Sequence, residues 1–253
     1  MAVSLKELNT ELTNLLQPER FKDYCPNGLQ LEGSNTVSKI VSGVTASQAL
    51  IDAAIERGAD TLLVHHGYFW RGEDQTIVGM KKKRVQSLLS NNINLFAYHL
   101  PLDAHLELGN NAQLGKLLNL ERKETIGRPG DLPLVAIGEL SEPSDFLQLS
   151  GRISDKLNRK VIAVEGRRSV IRRVAWCTGA AQNYFDLAVE AGVDAYITGE
   201  ISEPSAHIAR ESGVHFFAAG HHATERYGVQ AVGEYLAGKL AIDHEFVDID
   251  NPA

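Results

Sequence analysis

Cysteine is scarce in this sequence of 253 residues. Only Cys25 and Cys177 occur, far apart and without the CxxC spacing of a metal or redox motif. Two isolated cysteines fit reduced thiols in the cytosol better than the disulfide framework of a secreted protein. We therefore expect a cytoplasmic protein that has no cysteine-based metal site.

Long apolar runs and an excess of positive charge are also missing. No uncharged apolar stretch is long enough to span a bilayer, and Lys6, Glu7 and Glu11 interrupt the N-terminal segment, so we expect no signal peptide and no membrane partner. The net charge of -7 argues against strong nonspecific binding to nucleic acid. The basic runs at 81–84 and 167–173 are interpreted as solvated faces.

Two common catalytic signatures are absent. The segment "GVTAS" at 43–47 lacks the spaced glycines of a dinucleotide fingerprint, although it could form a phosphate-binding turn at a helix N-terminus. The chain has no G-x-S-x-G elbow, and no cysteine and histidine pair is indicated by order or spacing. These absences disfavour a Rossmann cofactor site and a serine or cysteine nucleophile.

Short apolar runs rich in β-branched residues alternate with helical patterns along the chain, which is typical of α/β architecture. The predicted strands cover 39–44, 60–64, 94–98, 134–140, 160–166, 172–178, 194–198, 215–219 and 244–249. Helices fit between most of them.

An internal repeat is the most informative pattern. Residues 40–66 align with residues 174–200 without a gap, and seven positions are identical, among them Gly58 with Gly192 and Asp60 with Asp194. The alternative is chance similarity, because any two units built of a strand, a turn, a helix and a second strand share features such as a glycine at the helix C-terminus. We nevertheless favour duplication, which predicts two similar domains at 1–125 and 126–253. The boundary is placed in 121–133, and the C-terminal segment is a candidate to pack back onto the first domain.

Histidines and carboxylates follow the predicted strands of both repeats, where ligand sites form in open α/β sheets. Imidazole and carboxylate together suit first-row cations, and two cations bridged by Asp103 would accommodate so many ligands. In "HHATE", both His221 and His222 share a helical face with Glu225, so spacing leaves that choice open. We interpret His207, His215 and His244 as structural, and His105 is ambiguous. The groups in question are His65, His66, His99, Asp103, Glu200, His221, His222 and Glu225.

Five segments jointly resemble the Nif-three-like family, whose bacterial members are labelled GTP cyclohydrolase I type 2 homologues. The matching segments are "DYCPNGLQLEG" (23–33), "VHHGYFW" (64–70), "HLPLDAHLELGNN" (99–111), "YITGE" (196–200) and "GHHATERYGVQAV" (220–232). The resemblance covers nearly the whole chain. It implies two similar three-layer α/β domains, a dinuclear metal centre in the cleft between them, and a ring-shaped homohexamer.

Carried over residue by residue, the resemblance implies a specific ligand set. The metal ligands would be His65, His66, Asp103, His221 and Glu225. Asp103 would be the bridge, and His99 and Glu200 would lie close by as catalytic candidates that support the ligands or transfer protons. Mixed imidazole and carboxylate ligation suits two divalent ions of zinc, iron, manganese or nickel.

Three functions are compatible with these features. The first is a metal-dependent hydrolase acting on a nucleotide or related heterocycle; the family label implies opening of the guanine imidazole ring of GTP with loss of formate. Against the GTP reaction, the sequence shows no identifiable triphosphate clamp: the only local candidates for binding its phosphates are Arg71 and residues 81–84, and the alternative is that these are surface residues. The second is a ring-shaped scaffold or nucleic-acid-associated protein of the DNA repair type with structural metals, and the third is metal storage or transfer. The acidic net charge favours the enzyme.

Overall fold

The computed structural model describes residues 1–130 and 132–253. Its strands, in chain order, are β1 Val3–Ser4, β2 Gly28–Leu31, β3 Thr36–Val37, β4 Lys39–Thr45, β5 Thr61–His66, β6 Asn94–Ala97, β7 Leu120–Ile126, β8 Val135–Ser144, β9 Ile162–Val164, β10 Ile171–Trp176, β11 Ala195–Thr198, β12 His215–Ala218 and β13 Asp243–Phe246. Every strand predicted from the sequence overlaps one of them.

The α-helices lie between these strands, the first of them after β1 and the last before β13. They are α1 Leu5–Leu16, α2 Gln48–Glu56, α3 Gly79–Ser90, α4 Leu100–Ala104, α5 Asn110–Leu117, α6 Phe146–Leu157, α7 Phe185–Glu190, α8 Glu203–Ser212, α9 His221–Thr224 and α10 Arg226–Leu240. Short 3-10 turns form at Pro18–Arg20 and Gln182–Tyr184. None of the helices in the described part of the chain has the length and apolar character needed to cross a bilayer.

The chain forms two compact units whose limits differ from the predicted division at residue 125. Unit 1 comprises Met1–Gly109 and Gly228–Asp250, and unit 2 comprises Asn110–Tyr227 and Asn251–Ala253. Two strand pairings explain the difference. β7 lies in the segment predicted as a linker, yet it pairs with β8 of unit 2, and β13 pairs with β4 of unit 1. Asp131, within that predicted linker, lies outside the described residues.

Unit 1 is built on a mixed sheet with strand order β13-β4-β5-β6-β2. The first four strands are parallel, and β2 joins the edge antiparallel to β6. Alternate side chains enter different cores, because successive residues of a strand point to opposite faces. Leu63 packs with Leu12 of α1 and Val232 of α10, whereas Leu62 packs with residues of α2 and α3. Helices therefore cover both faces of this sheet.

Unit 2 is also built on a mixed sheet, with strand order β7-β8-β10-β11-β12-β9. β10, β11 and β12 are parallel, and the remaining pairings are antiparallel. Ile197 packs on one face with Ile153 of α6. Tyr196 packs on the other face with Phe185 of α7. Each unit thus has its own core on either side of its own sheet.

The aligned segments of the two units share backbone contacts as well as sequence. The Asp60 carboxylate accepts hydrogen bonds from the backbone N–H groups of Ser38 and Lys39. The Asp194 carboxylate accepts the same pair of bonds from Arg172 and Arg173. In each unit, the aspartate before one central strand therefore caps the start of its parallel neighbour. Gly58 and Gly192, at equivalent positions, both have positive φ, 64° and 70°.

The adjacent histidines lie in strand β5 itself, whereas the sequence predicted that the strand ends at Val64. Parallel pairing with β4 continues as far as Thr45 and His66, so the backbone stays extended on that side. Pairing with β6 ends at Val64 and Ala97. Beyond that point the backbone carbonyl of Tyr98 is available to the ring of His65, at 2.9 Å from Nδ1.

Candidate metal centre

Three histidines converge at the carboxyl ends of β5 and β6 in unit 1. The ring centroid of His65 lies 4.4 Å from that of His66 and 5.2 Å from that of His99. One nitrogen from each ring lies within 4.8 Å of the other two. The structure thus brings together the three histidines that the sequence placed after neighbouring strands.

The ring of His65 is oriented by its backbone environment. Its Nδ1 lies 2.9 Å from the carbonyl oxygen of Tyr98, which can only accept a hydrogen bond. The neutral ring therefore carries its proton on Nδ1 and its lone pair on Nε2, as metal-binding histidines commonly do. The His65 side chain is fully buried, and its Nε2 lies 3.6 Å from Oδ1 of Asp103 on α4. On the neighbouring ring, Nδ1 of His66 lies 3.3 Å from Oγ1 of Thr45.

Asp23 is a functional candidate that the sequence reasoning did not identify. Its Oδ1 accepts a 2.7 Å hydrogen bond from Nδ1 of His99, and its Oδ2 accepts bonds from the Leu100 N–H and the Asn27 side chain. Burial raises the pKa of Asp23, but the hydrogen bond and charge of His99, with further hydrogen bonds, outweigh burial and hold the pKa at about 2. Asp23 therefore stays ionised and fixes the orientation of His99.

Cys25 lies near this pair as a neutral thiol. Its sulfur lies within 4.8 Å of one donor atom of Asp23 and one of His99. Burial, together with the charge of Asp23, raises the pKa of Cys25 to about 12. The thiolate is the metal-binding form, so in the metal-free chain this thiol is neutral at neutral pH.

In unit 2, the ring of His221 lies between two carboxylates. Its Nδ1 is 2.7 Å from Oε1 of Glu200, and its Nε2 is 3.2 Å from Oε2 of Glu225. His221 opens the short helix α9, and the buried Glu225 follows that helix, so their i, i+4 spacing directs both toward one point. Gln182 donates to the other oxygen of Glu200 at 3.3 Å. His221, the histidine indicated by the family resemblance, thus contacts both carboxylates.

The two carboxylates also set the protonation of His221. Burial lowers the pKa of His221, but hydrogen bonds and charges from Glu225 and Glu200 outweigh burial and raise the pKa to about 9. In the metal-free chain the ring is therefore protonated at neutral pH. A cation binding at Nε2 must displace this proton.

A glycine creates the space that Glu225 occupies. Gly179 has φ +70°, and a Cβ there would collide with Oε1 of Glu225 and approach Nε2 of His221 to 3.3 Å. Any side chain at this position would therefore displace the carboxylate. The sequence showed only a glycine after a strand, so this role could not be deduced from it.

Gly179→Ala should lower the metal content of the purified chain, measured by plasma mass spectrometry. Gly192→Ala is the matched control, because Gly192 also has φ +70° but a Cβ there meets none of the described atoms within 4 Å. Both variants should lose about 1–2 kcal/mol of stability from the strained backbone. Equal metal contents in the two variants would contradict the role assigned to Gly179.

His105, which the sequence left ambiguous, has a local structural contact. Its Nδ1 accepts hydrogen bonds from the backbone N–H groups of Leu108 at 3.1 Å and Glu107 at 3.3 Å. Burial lowers the pKa of His105, although the charge of Glu107 opposes this effect. The neutral ring thus stabilises the turn after α4.

The three histidines interpreted as structural have contacts that agree with that interpretation. His207 is exposed on α8 and pairs with Glu203 at 3.1 Å. The buried His215 accepts a hydrogen bond from the Gly166 N–H at 2.9 Å. The Nε2 of His244 lies 2.7 Å from the hydroxyl of a β4 serine, Ser42.

Comparison with known proteins identifies the family. The family model described as Duf34/NIF3 (NGG1p interacting factor 3) matches residues 3–252. A curated relative from Pseudomonas aeruginosa, "GTP cyclohydrolase 1 type 2 homolog", is 53% identical over 253 residues, with 100% of both chains covered.

Solved structures give the same result and confirm the resemblance. The structure described as "protein ybgI, unknown function" is 51% identical with a TM-score of 0.96, covering 99% of this chain and 100% of that one. TTHA1606 from Thermus thermophilus is 32% identical with a TM-score of 0.89 and the same coverage. The chain belongs to the Duf34/NIF3 family.

Proposed function

We propose that the ligands of the two units form one dinuclear metal centre and that the protein is a metal-dependent hydrolase acting on a nucleotide or related heterocycle. One observation carries the proposal: each unit presents a histidine whose Nδ1 faces an acceptor. That acceptor is the Tyr98 carbonyl for His65 and the Glu200 carboxylate for His221. Such contacts fix the ring and direct Nε2 toward a cation.

The donor chemistry fits two first-row cations. His65, His66 and Asp103 would contribute from unit 1, and His221 and Glu225 from unit 2, with Asp103 as the bridge. Imidazole and carboxylate suit zinc, iron, manganese or nickel. When bound, cations of this class act as Lewis acids and activate water near neutral pH.

The residues around these ligands would serve proton transfer. Asp23 holds Nδ1 of His99 at 2.7 Å, which favours a proton at that atom and leaves Nε2 to accept or donate one. A positioned imidazole of this kind contributes about 10²–10⁴-fold to the rate of a hydrolytic step. In unit 2, Glu200 would orient His221 as a ligand rather than contact the substrate.

The relatives support the reaction class through their names. Curated family members from Pseudomonas aeruginosa and Haemophilus influenzae are both named "GTP cyclohydrolase 1 type 2 homolog". GTP is therefore the first substrate to test. Other nucleotides, pterins and phosphoesters are tested next, because each shares with GTP either the planar ring or a hydrolysable bond.

We further propose that the two units arose by internal duplication. The equivalent capping bonds of Asp60 and Asp194 support this, since a carboxylate need not cap the neighbouring strand merely to form a strand, helix and strand unit. The equivalent left-handed glycines Gly58 and Gly192 are weaker support, because helix C-termini generally favour glycine. A wider set of family sequences in which the two segments align no better than unrelated α/β units would contradict duplication.

An activity screen tests the hydrolase proposal. Metal-replete protein should turn over at least one compound among nucleotides, pterins and phosphoesters, and Asp103→Ala should abolish that turnover. His99→Gln should keep its metal and lose about 10²–10⁴-fold in rate. Turnover that survives in Asp103→Ala would point to another site. Bound metal without any turnover would favour the scaffold or storage hypotheses.

A further inference from the structure

Two aromatic rings flank His99 in unit 1. The indole of Trp70 meets the His99 ring edge-on, with centroids 5.0 Å apart, and lies 5.9 Å from the ring of His66. The ring of Tyr24 lies 6.4 Å from His99, and Tyr24 is 58% exposed. An aromatic surface open to solvent therefore adjoins the candidate ligands.

The segment that carries Trp70 is held in place by polar contacts, one of them buried and the others half-buried. The side-chain amide of Gln30 accepts from the Tyr68 N–H at 2.7 Å and donates to the Tyr68 carbonyl at 3.1 Å. The Tyr68 hydroxyl donates to the carbonyl of Ala46, and the indole N–H of Trp70 donates to the carbonyl of Gly67. Trp70 is thus fixed before any ligand arrives.

The backbone before Trp70 is strained as well. Phe69 has φ 66°, a left-handed conformation that costs a residue other than glycine free energy. The ammonium group of Lys81 lies over the Phe69 ring, 5.0 Å from its centroid. Strained residues of this kind cluster at active sites and ligand-binding segments, so the position of the side chain that follows Phe69 is a candidate functional feature.

The positively charged side chain of Arg71 lies at the edge of this aromatic surface. The guanidinium of Arg71 is 5.6 Å from the centroid of the Tyr24 ring, and one of its N–H groups donates to the carbonyl of Asp23 at 2.9 Å. Arginine has five such donors in a planar fork that suits phosphate and carboxylate. The nearby Glu73 carboxylate pairs with Lys81 at 3.2 Å, which reduces its repulsion of an anion.

We infer that Trp70, Tyr24 and Arg71 form a subsite that binds a planar heterocycle carrying an anionic group, beside the histidines of unit 1. The rings supply faces and edges for stacking, and Arg71 supplies the charge for a phosphate. A nucleoside phosphate meets both requirements. The inference rests on the proposed function for its substrate class, but binding at the subsite can be measured without turnover.

The test measures equilibrium binding of 7-deaza-GTP and 7-deazaguanosine to the metal-loaded chain by calorimetry. Replacing the ring nitrogen by carbon prevents hydrolytic opening of the five-membered ring, so binding of the heterocycle is observed. Trp70→Leu should raise the Kd of both compounds about tenfold, and Trp70→Phe should restore most of the affinity. Arg71→Ala should raise the Kd of the triphosphate about tenfold and leave that of the nucleoside unchanged.

Arg128→Ala is the matched control. Its guanidinium lies 5.9 Å from the ring of Tyr184 in unit 2, in the same kind of arginine and tyrosine pair. This variant should bind both compounds like the wild type. The subsite would be overturned, even if turnover is found, if Arg71→Ala binds the triphosphate as tightly as the wild type does. The same holds if Trp70→Leu binds the nucleoside as tightly as the wild type does. A wild type that binds neither compound would do the same.

Metal content and turnover, measured on the same samples, separate this inference from the hydrolase proposal. All four variants should keep the metal content of the wild type. The expected changes in Kd without any turnover would support the subsite and overturn only the hydrolase. Turnover with unchanged Kd values would overturn only the subsite.

Discussion

Asp103→Ala should reduce the metal content of the chain from about two ions to below one and abolish turnover. The carboxylate is buried on α4, and its Oδ1 lies 3.6 Å from Nε2 of His65. As the proposed bridge it serves both ions, so its loss should cost more metal than the loss of a ligand to one ion. His65→Ala should therefore leave more metal bound than Asp103→Ala does. Plasma mass spectrometry of dialysed protein measures both.

Asp52→Ala is the control for removing a carboxylate from unit 1. Asp52 is exposed on α2 and accepts a hydrogen bond from Gln48 at 2.8 Å. Its replacement should leave metal content and turnover unchanged. If Asp103→Ala keeps about two ions per chain, Asp103 is not the bridge.

Glu200→Gln should weaken metal binding by about 10–100-fold, because His221 loses the acceptor that orients its ring. The amide can turn its NH₂ group toward Nδ1. This favours the tautomer of His221 that carries its proton on Nε2, the atom that should bind the cation. Binding should be measured with a competing chelator at pH 9, near the pKa of His221, where protons compete less with the cation. At lower pH the loss of metal affinity should appear smaller. Removing the Glu200 charge also lowers the pKa of His221, so protons compete less with the cation in the variant.

The wild type should show the corresponding pH dependence. Below pH 9 each bound cation at His221 releases a proton, so the apparent metal affinity should rise with pH and level off near pH 9. Glu203→Gln is the matched control, since Glu203 pairs with His207 at 3.1 Å on the surface of the same unit. Equal losses of metal affinity in Glu200→Gln and Glu203→Gln would contradict the orienting role of Glu200.

The sequence predicted the strands that carry the site because these strands are strongly apolar. Residues 61–64 and 215–219 are buried on both faces, and runs of this kind are typical of central parallel strands. Histidines placed directly after them must lie near the carboxyl edge of the sheet. For that reason His65, His66 and His99 could be grouped without a structure.

Other site residues left no recognisable pattern in the sequence. Asp23 lies 76 positions from His99 and approaches it only through the fold. Gly179 acts through the absence of a side chain, and a glycine after a strand has many explanations. Long-range contacts and steric clearance are properties of the folded chain, so no local spacing predicts them.

The boundary between the units was misplaced because β7 does not look like a central strand. Its sequence "LERKETI" is charged, and most of its residues are exposed at the edge of the sheet. Edge strands commonly carry charge, which hides them from a search for apolar runs. The same charge suggested a linker.

Anomalous diffraction from crystals of the metal-loaded protein would locate the bound ions. We expect two peaks per chain about 3.5–4 Å apart, bound by His65 or His66 of unit 1 and by His221 and Glu225 of unit 2. A single peak, or two isolated peaks each bound by the residues of one unit, would rule out a shared dinuclear centre.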